Sequence, residues 1–154
     1  MGHSFSSLDE LGEGPGFRKV RGPLGITAFG VNALVYPPGY DGIFHYHDTQ
    51  DELYFVHQGT ARFEVEGEER TLGPGGLVHV ESTTHRKVSN AGEGDLVLLI
   101  VGGKDGYVER DGHLVNDEDL AKRQALGTGV GSTEPASSGD AGSAGVGAEK
   151  GEAQ

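Results

Sequence analysis

The stretch GYDGIFHYHDTQDELYFVHQG, residues 39–59, carries three of the chain's seven histidines and four of its acids beside a run of Leu, Tyr, Phe and Val. His45 and His47 are one residue apart, so on a strand both imidazoles point to the same face. Glu52 opens the next strand after the turn DTQD, and Tyr54 and Val56 share its face and would wall a pocket. Two imidazoles on one face, with a carboxylate returning on the neighbouring strand, make a usable ligand set for a divalent metal. The bland alternative is a charged loop beside an ordinary strand.

The flanking sequence decides the fold class. GITAFGVNALVY (25–36) is β-rich and PPGYDG (37–42) turns the chain. ELYFVHQ (52–58) reads as a strand. TARFEVEGEERTL (60–72) reads as a hairpin, with Ala61, Phe63 and Val65 alternating against Arg62, Glu64 and Glu66 and the turn placed at Gly67-Glu68. GPGG turns again before LVHV, and HRKVSN and DLVLLIVGG are the last two strands. Many short strands between Gly/Pro turns predict an all-β antiparallel sandwich or barrel. NDEDLAKRQAL (116–126) predicts one short C-terminal helix, capped by Asn116 or Asp117, with Lys122 and Arg123 near its end. The Gly/Ala/Ser/acid run 127–154 buries too little apolar surface to offset chain entropy and is expected to be disordered. The expected organisation is an N-terminal arm 1–16, a strand-built body 17–106, a helix-bearing segment 107–126 and a tail 127–154.

Bulk properties bound the function. A chain of 154 residues suits one domain with its own core. It has no cysteine, which removes disulfides, zinc–thiolate sites and thiol nucleophiles. The formal charge is −12, of which the last 28 residues carry −3 (four acids, one lysine), leaving −9 on residues 1–126. That balance argues against a nucleic-acid partner or an anionic membrane surface. DLVLLIVGG is too short to span a bilayer, and MGHSFSSLDELGEG has no apolar leader segment, so a cytoplasmic protein is the expectation.

Gly39, five residues, His45, one, His47, four, Glu52, six, Gly59 matches the spacing of the first motif of the cupin superfamily, and the resemblance runs over roughly Phe17–Val101. It implies a double-stranded β-helix, a jelly-roll barrel, with a metal in its mouth held by His45, His47 and Glu52. The family's second motif runs Gly, five residues, Pro, one, Gly, two, His, three, Asn. Taken literally, Pro74, Gly76 and His79 fit its middle, with Thr83 where Asn belongs. The other register places the ligand at His85, with Asn90 one position late and Glu81 and Thr83 in place of Pro and Gly. The hairpin ending near Leu72 and the fifteen residues between Gly59 and Gly75 favour His85. His79 on LVHV then faces the pocket or the outside. The resemblance implies one divalent transition metal (Fe or Mn first, with Ni, Cu and Zn as alternatives) in a three-His, one-Glu shell.

That shell suits a small-molecule metalloenzyme, dioxygenase-like or isomerase-like. Its rivals are a non-catalytic sensor or storage module and a degenerate barrel that has lost its metal. No catalytic residue is assigned. Asp51 competes with Glu52 as the carboxylate, although the six residues to Gly59 favour Glu52. Tyr54, Val56, His79 and Gln50 are the pocket candidates, Gln50 being first a turn residue. Phe44 and Tyr46 are read as core aromatics, and His57, His3 and His113 as uninvolved. Arg62 and Arg86 are the nearest groups for an anionic substrate, both read as surface residues. FRKVRGPLGITAF (17–29) could pair across a homodimer, as small cupins often do.

Overall fold

The computed structural model describes residues 2–126; the tail expected to be disordered lies outside them. The elements are β1 (Gly16–Lys19), the single helical turn α1 (Arg21–Leu24), β2 (Gly30–Tyr36), β3 (His45–His47), β4 (Asp51–Gln58) and β5 (Ala61–Val65). They continue with β6 (Glu68–Leu72), β7 (Leu77–Val80), β8 (Arg86–Asn90), β9 (Leu96–Gly103), β10 (Gly112–Leu114) and α2 (Asp119–Leu126). They form two antiparallel five-stranded sheets, ordered β1-β2-β9-β4-β7 and β10-β3-β8-β5-β6. This is the all-β antiparallel architecture that the turn spacing predicts and the jelly roll that the resemblance implies, with its short C-terminal helix.

Strand alternation builds the core between the sheets. Tyr54 and Val56 of β4, Phe63 of β5, Val88 of β8 and Leu96 and Leu98 of β9 meet in one buried cluster, while their sequence neighbours face outward. Burying each such side chain contributes roughly 1.5–3 kcal/mol. A second, smaller cluster lies outside the first sheet. There Leu8 and Leu11 of the N-terminal arm, with Leu24 and Ile26, pack on Val31 and Ala33 of β2 and on Leu99 and Val101 of β9.

Four local readings shift. The β5–β6 hairpin turns at Glu66-Gly67, both with positive φ, because Val65 pairs with Glu68. β1 pairs with β2 of its own chain, not only as a strand offered to a partner. The C-terminal helix begins at Asp119, so Glu118 and not Asn116 or Asp117 stands at the capping position before it. Most consequential, the chain after residue 106 adds β10, which pairs with β3 and so reaches the candidate ligands. The motif's closing glycine has a physical reason: Gly59 has φ 88°, and a Cβ there would strike the Asp95 carbonyl. Among the described residues no helix is long and apolar enough to cross a membrane.

Candidate metal centre

β3 sets two imidazoles against the two oxygens of one carboxylate on β4. One ligand atom from each of His45, His47 and Glu52 lies within 4.8 Å of the others. His47 Nε2 is 3.3 Å from Glu52 Oε2, and His45 Nε2 is 3.8 Å from Glu52 Oε1. His47 and Glu52 are nearly fully buried. The positions follow from alternation: His45 and His47 point inward past Tyr46, and Glu52 shares its inward face with Tyr54.

Each ligand candidate is held from behind. Asp111 Oδ1 lies 2.8 Å from His47 Nδ1, which fixes the proton there and leaves Nε2 toward Glu52. Asp111 is itself anchored by the backbone N–H groups of Thr49 (2.6 Å) and Gln50 (3.0 Å) and by the Gln50 side-chain amide (2.7 Å). Glu52 Oε1 accepts from Tyr54 Oη at 2.7 Å and from Arg86 Nη2 at 2.9 Å, so Oε2 is the oxygen left facing His47.

Arg86 is fully buried. Its Nη1 donates to the carbonyls of Thr84 (2.6 Å) and Ser82 (2.9 Å), and its Nε donates to Tyr54 Oη at 3.4 Å. The guanidinium thus ties the loop after β7 to the carboxylate of β4.

Electrostatics separate the two histidines. Burial pushes His45 down to about 4, with the Arg86 and His47 charges adding to the effect and Glu52 opposing it. Burial also acts to lower His47, but the Glu52 charge and the Asp111 hydrogen bond outweigh it and hold His47 above its ordinary value. Burial would raise Glu52, yet the His47 and Arg86 charges drive it well below the usual carboxylate range. Burial raises Asp111 as well, but its His47 and Gln50 hydrogen bonds bring it down to about 2.

The donor set fits a divalent transition metal. His45 Nδ1 and His47 Nε2 are buried without a hydrogen-bond partner among the described residues. An unsatisfied buried polar atom costs about 1–3 kcal/mol, which coordination at His47 Nε2 would relieve. Two imidazoles and one carboxylate also match the chemistry of Fe, Mn and Zn sites.

His85 is not brought to this cluster. It is exposed on the outer face, its ring stacked on Tyr46 at 5.0 Å between centroids. The inward position in register with His45 belongs to the next residue, Arg86. The reading of Arg86 as a surface residue is likewise corrected. The signal was present: three residues separate Arg86 from Asn90, so Gly75, Glu81, Thr83, Arg86 and Asn90 keep the second-motif spacing with no slip, with Arg where the motif has His.

His79 faces outward opposite exposed Leu53, since Val78 and Val80 take the inner face of β7. Tyr54 lines the pocket above the triad, and Val56 is fully buried in the core. Gln50 is buried and acts through Asp111 instead of lining the pocket. Asp51 is turned away, toward Lys104 and the Ser82 backbone N–H. His113 pairs with Asp48 at the surface. Asp111 was missed altogether, because no local pattern links it to a histidine 64 residues earlier.

A family profile described as a cupin domain matches residues 33–102. The fold is similar to a cupin protein from Bacteroides fragilis, at 20% identity and a TM-score of 0.59, over 71% of this chain and 91% of that one. A sugar phosphate isomerase of the cupin superfamily from Silicibacter pomeroyi shares 24% identity with a TM-score of 0.53, over 57% of this chain and 58% of that one. The DMSP lyase DddQ from Ruegeria pomeroyi shares 27% identity with a TM-score of 0.51, over 57% of this chain and 43% of that one. No sequence among the curated proteins matches.

Proposed function

From the premise that this chain is a small cupin-domain protein, we propose that it is a metal-dependent lyase or isomerase of a small molecule, with His45, His47 and Glu52 holding Fe or Mn. The observation that carries this reading is the meeting of these three donors in one pocket whose walls, from Phe17, Leu34, Ile43, Val88 and Ile100, are apolar. The likeness to the DMSP lyase, at 27% identity, supports the lyase side of the reading.

The chain's residues divide the work. His45, His47 and Glu52 bind, while Asp111 holds the His47 proton on Nδ1. Tyr54 and Arg86 occupy Glu52 Oε1, so the carboxylate presents one oxygen and not two. The apolar wall limits water around the reacting atoms. When bound, a divalent metal supplies Lewis-acid polarisation of a substrate oxygen. With three protein donors in place of four, more coordination positions remain for substrate. The two-His, one-carboxylate set also favours a second reading, an Fe(II) oxygenase.

Elemental analysis of untagged, chelator-free protein, followed by assays for elimination or isomerisation and for O₂ uptake, tests the proposal. Near-stoichiometric metal with non-oxidative turnover supports it; O₂-coupled turnover supports the oxygenase. Saturable small-molecule binding without turnover would make the protein a binding module. Failure to load metal even after reconstitution would overturn the metal reading.

Two further results are expected. Asp111→Asn should weaken Mn²⁺ binding by about 10–100-fold while leaving the far-UV spectrum unchanged, because His47 loses the carboxylate that orients it. The pH dependence follows from His47, whose raised pKa means that metal competes with a proton there. Apparent Mn²⁺ affinity should therefore rise with pH, up to about tenfold per unit below the His47 pKa, and level off above it. Titrations between pH 5.5 and 8.5 measure this slope, and a flat profile would remove His47 from the ligand set.

A further inference from the structure

The pocket above the triad has a second chemical end. Arg123 and Leu126, three residues apart on one face of α2, line the same pocket as His45, His47 and Glu52. Leu126 packs against the main core cluster, and Lys122 Nζ donates to the Gly42 carbonyl at 3.0 Å and pairs with Asp41 at 3.4 Å. The helix is thereby tied to the barrel with the Arg123 side of its surface toward the cavity. Tyr36 and Tyr40, with ring centroids 4.3 Å apart, line the pocket beside it. Burial raises both phenols, the Arg123 charge acts against it at each, and Asp119 and Asp41 at Tyr40 and Glu52 at Tyr36 add to the rise, so both remain hydroxyl donors at neutral pH.

We propose that this pocket takes a small organic acid, its carboxylate received by Arg123 with the Tyr36 and Tyr40 hydroxyls, its short apolar body along the wall, and its other end at the His45–His47–Glu52 triad. A guanidinium is a planar fork that matches a carboxylate, and phenolic hydroxyls complete such a site. Arg123 is the one Lys or Arg lining the cavity among the described residues, which suits a monoanion and not a doubly charged phosphate. The strongly negative body makes a cation placed inside a pocket a selective feature, since the surrounding field does not itself gather anions.

The anion end stands on Arg123, Tyr36 and Tyr40, while the assignment of the other end rests on the metal reading above. The test uses the full chain, metal-free and Mn²⁺-loaded, titrated calorimetrically with straight-chain carboxylates from acetate to hexanoate and with the matching amides. At least one carboxylate should bind saturably and more tightly than its amide. Arg123→Gln should weaken it by about 10–100-fold, Arg123→Lys by less, and amide binding should not change. Unfolding midpoints of both variants, compared with the parent, show that the barrel is intact.

No saturable carboxylate binding, equal affinity for acid and amide, or unchanged affinity in Arg123→Gln would each overturn the proposal. Metal content, measured on the same samples, reports separately on the triad. Loss of metal with retained Arg123 dependence would sink the metal reading and leave the anion site standing.

Discussion

Replacing Arg86 by alanine is expected to lower the unfolding free energy by about 3–5 kcal/mol, the cost of leaving a buried carboxylate without its cation. Arg86 is fully buried and Glu52 nearly so, 2.9 Å apart at their closest polar atoms. The loss has two parts. Glu52 Oε1 keeps only the Tyr54 hydroxyl, and the carbonyls of Ser82 and Thr84 lose a donor inside the fold. Arg86→Lys should recover only a fraction, because one ammonium cannot reach Glu52, Tyr54 and two carbonyls from the geometry of a planar fork.

The informative control is the pair. In a Glu52→Gln, Arg86→Met double variant no buried charge is left unpaired by the exchange, so the combined loss should be clearly smaller than the sum of the single losses. Urea unfolding followed by far-UV circular dichroism of metal-free protein compares the parent, Arg86→Ala, Arg86→Lys, the single exchanges Glu52→Gln and Arg86→Met, and the double variant. A loss below about 1 kcal/mol in Arg86→Ala, the level of a surface pair, would show that this network is not a buried ion pair.

His47→Ala is expected to reduce bound metal from near one per chain to background, and His85→Ala to leave it unchanged. In the proposed site His47 is one of three donors, and its Nε2 has no hydrogen-bond partner among the described residues. His85 instead stacks on Tyr46 outside the second sheet, where exchange to alanine removes a surface contact only. Far-UV spectra should be preserved in both variants, which separates ligand loss from unfolding. Metal retained in His47→Ala would exclude the triad; metal lost in His85→Ala would require the outer face to rearrange inward.

Much of the site is readable along the chain because it is local. His45, His47 and Glu52 lie on two strands joined by a short turn, so residue alternation alone places their side chains on one face. Gly59 closes the motif at the end of β4, where its φ of 88° gives the physical reason for a glycine. Errors arose where a reading depended on a boundary. Moving the start of β8 by one residue exchanges His85 for Arg86, and period-two alternation turns that slip into a change of sheet face. The hairpin ending near Leu72 and the fifteen residues between Gly59 and Gly75 set where the second motif begins but leave a one-residue slip open, and the spacing to Asn90 points to Arg86.

By itself the sequence determined the strand-rich antiparallel body and the meeting of His45, His47 and Glu52 on one face, because each rests on turn chemistry and on periodicity within a few residues, while the jelly roll was what the family resemblance implied. Only the tertiary structure decided what stands behind and above those donors. Asp111 reaches His47 because β10 pairs with β3, Arg86 reaches Glu52 from β8 in the other sheet, and Arg123 enters the pocket because α2 docks through Leu126 and Lys122. Those partners are chosen by strand pairing and helix docking across long stretches of chain. No local pattern carries that information, since the same residues at the same spacings would face elsewhere if one register moved by a single position.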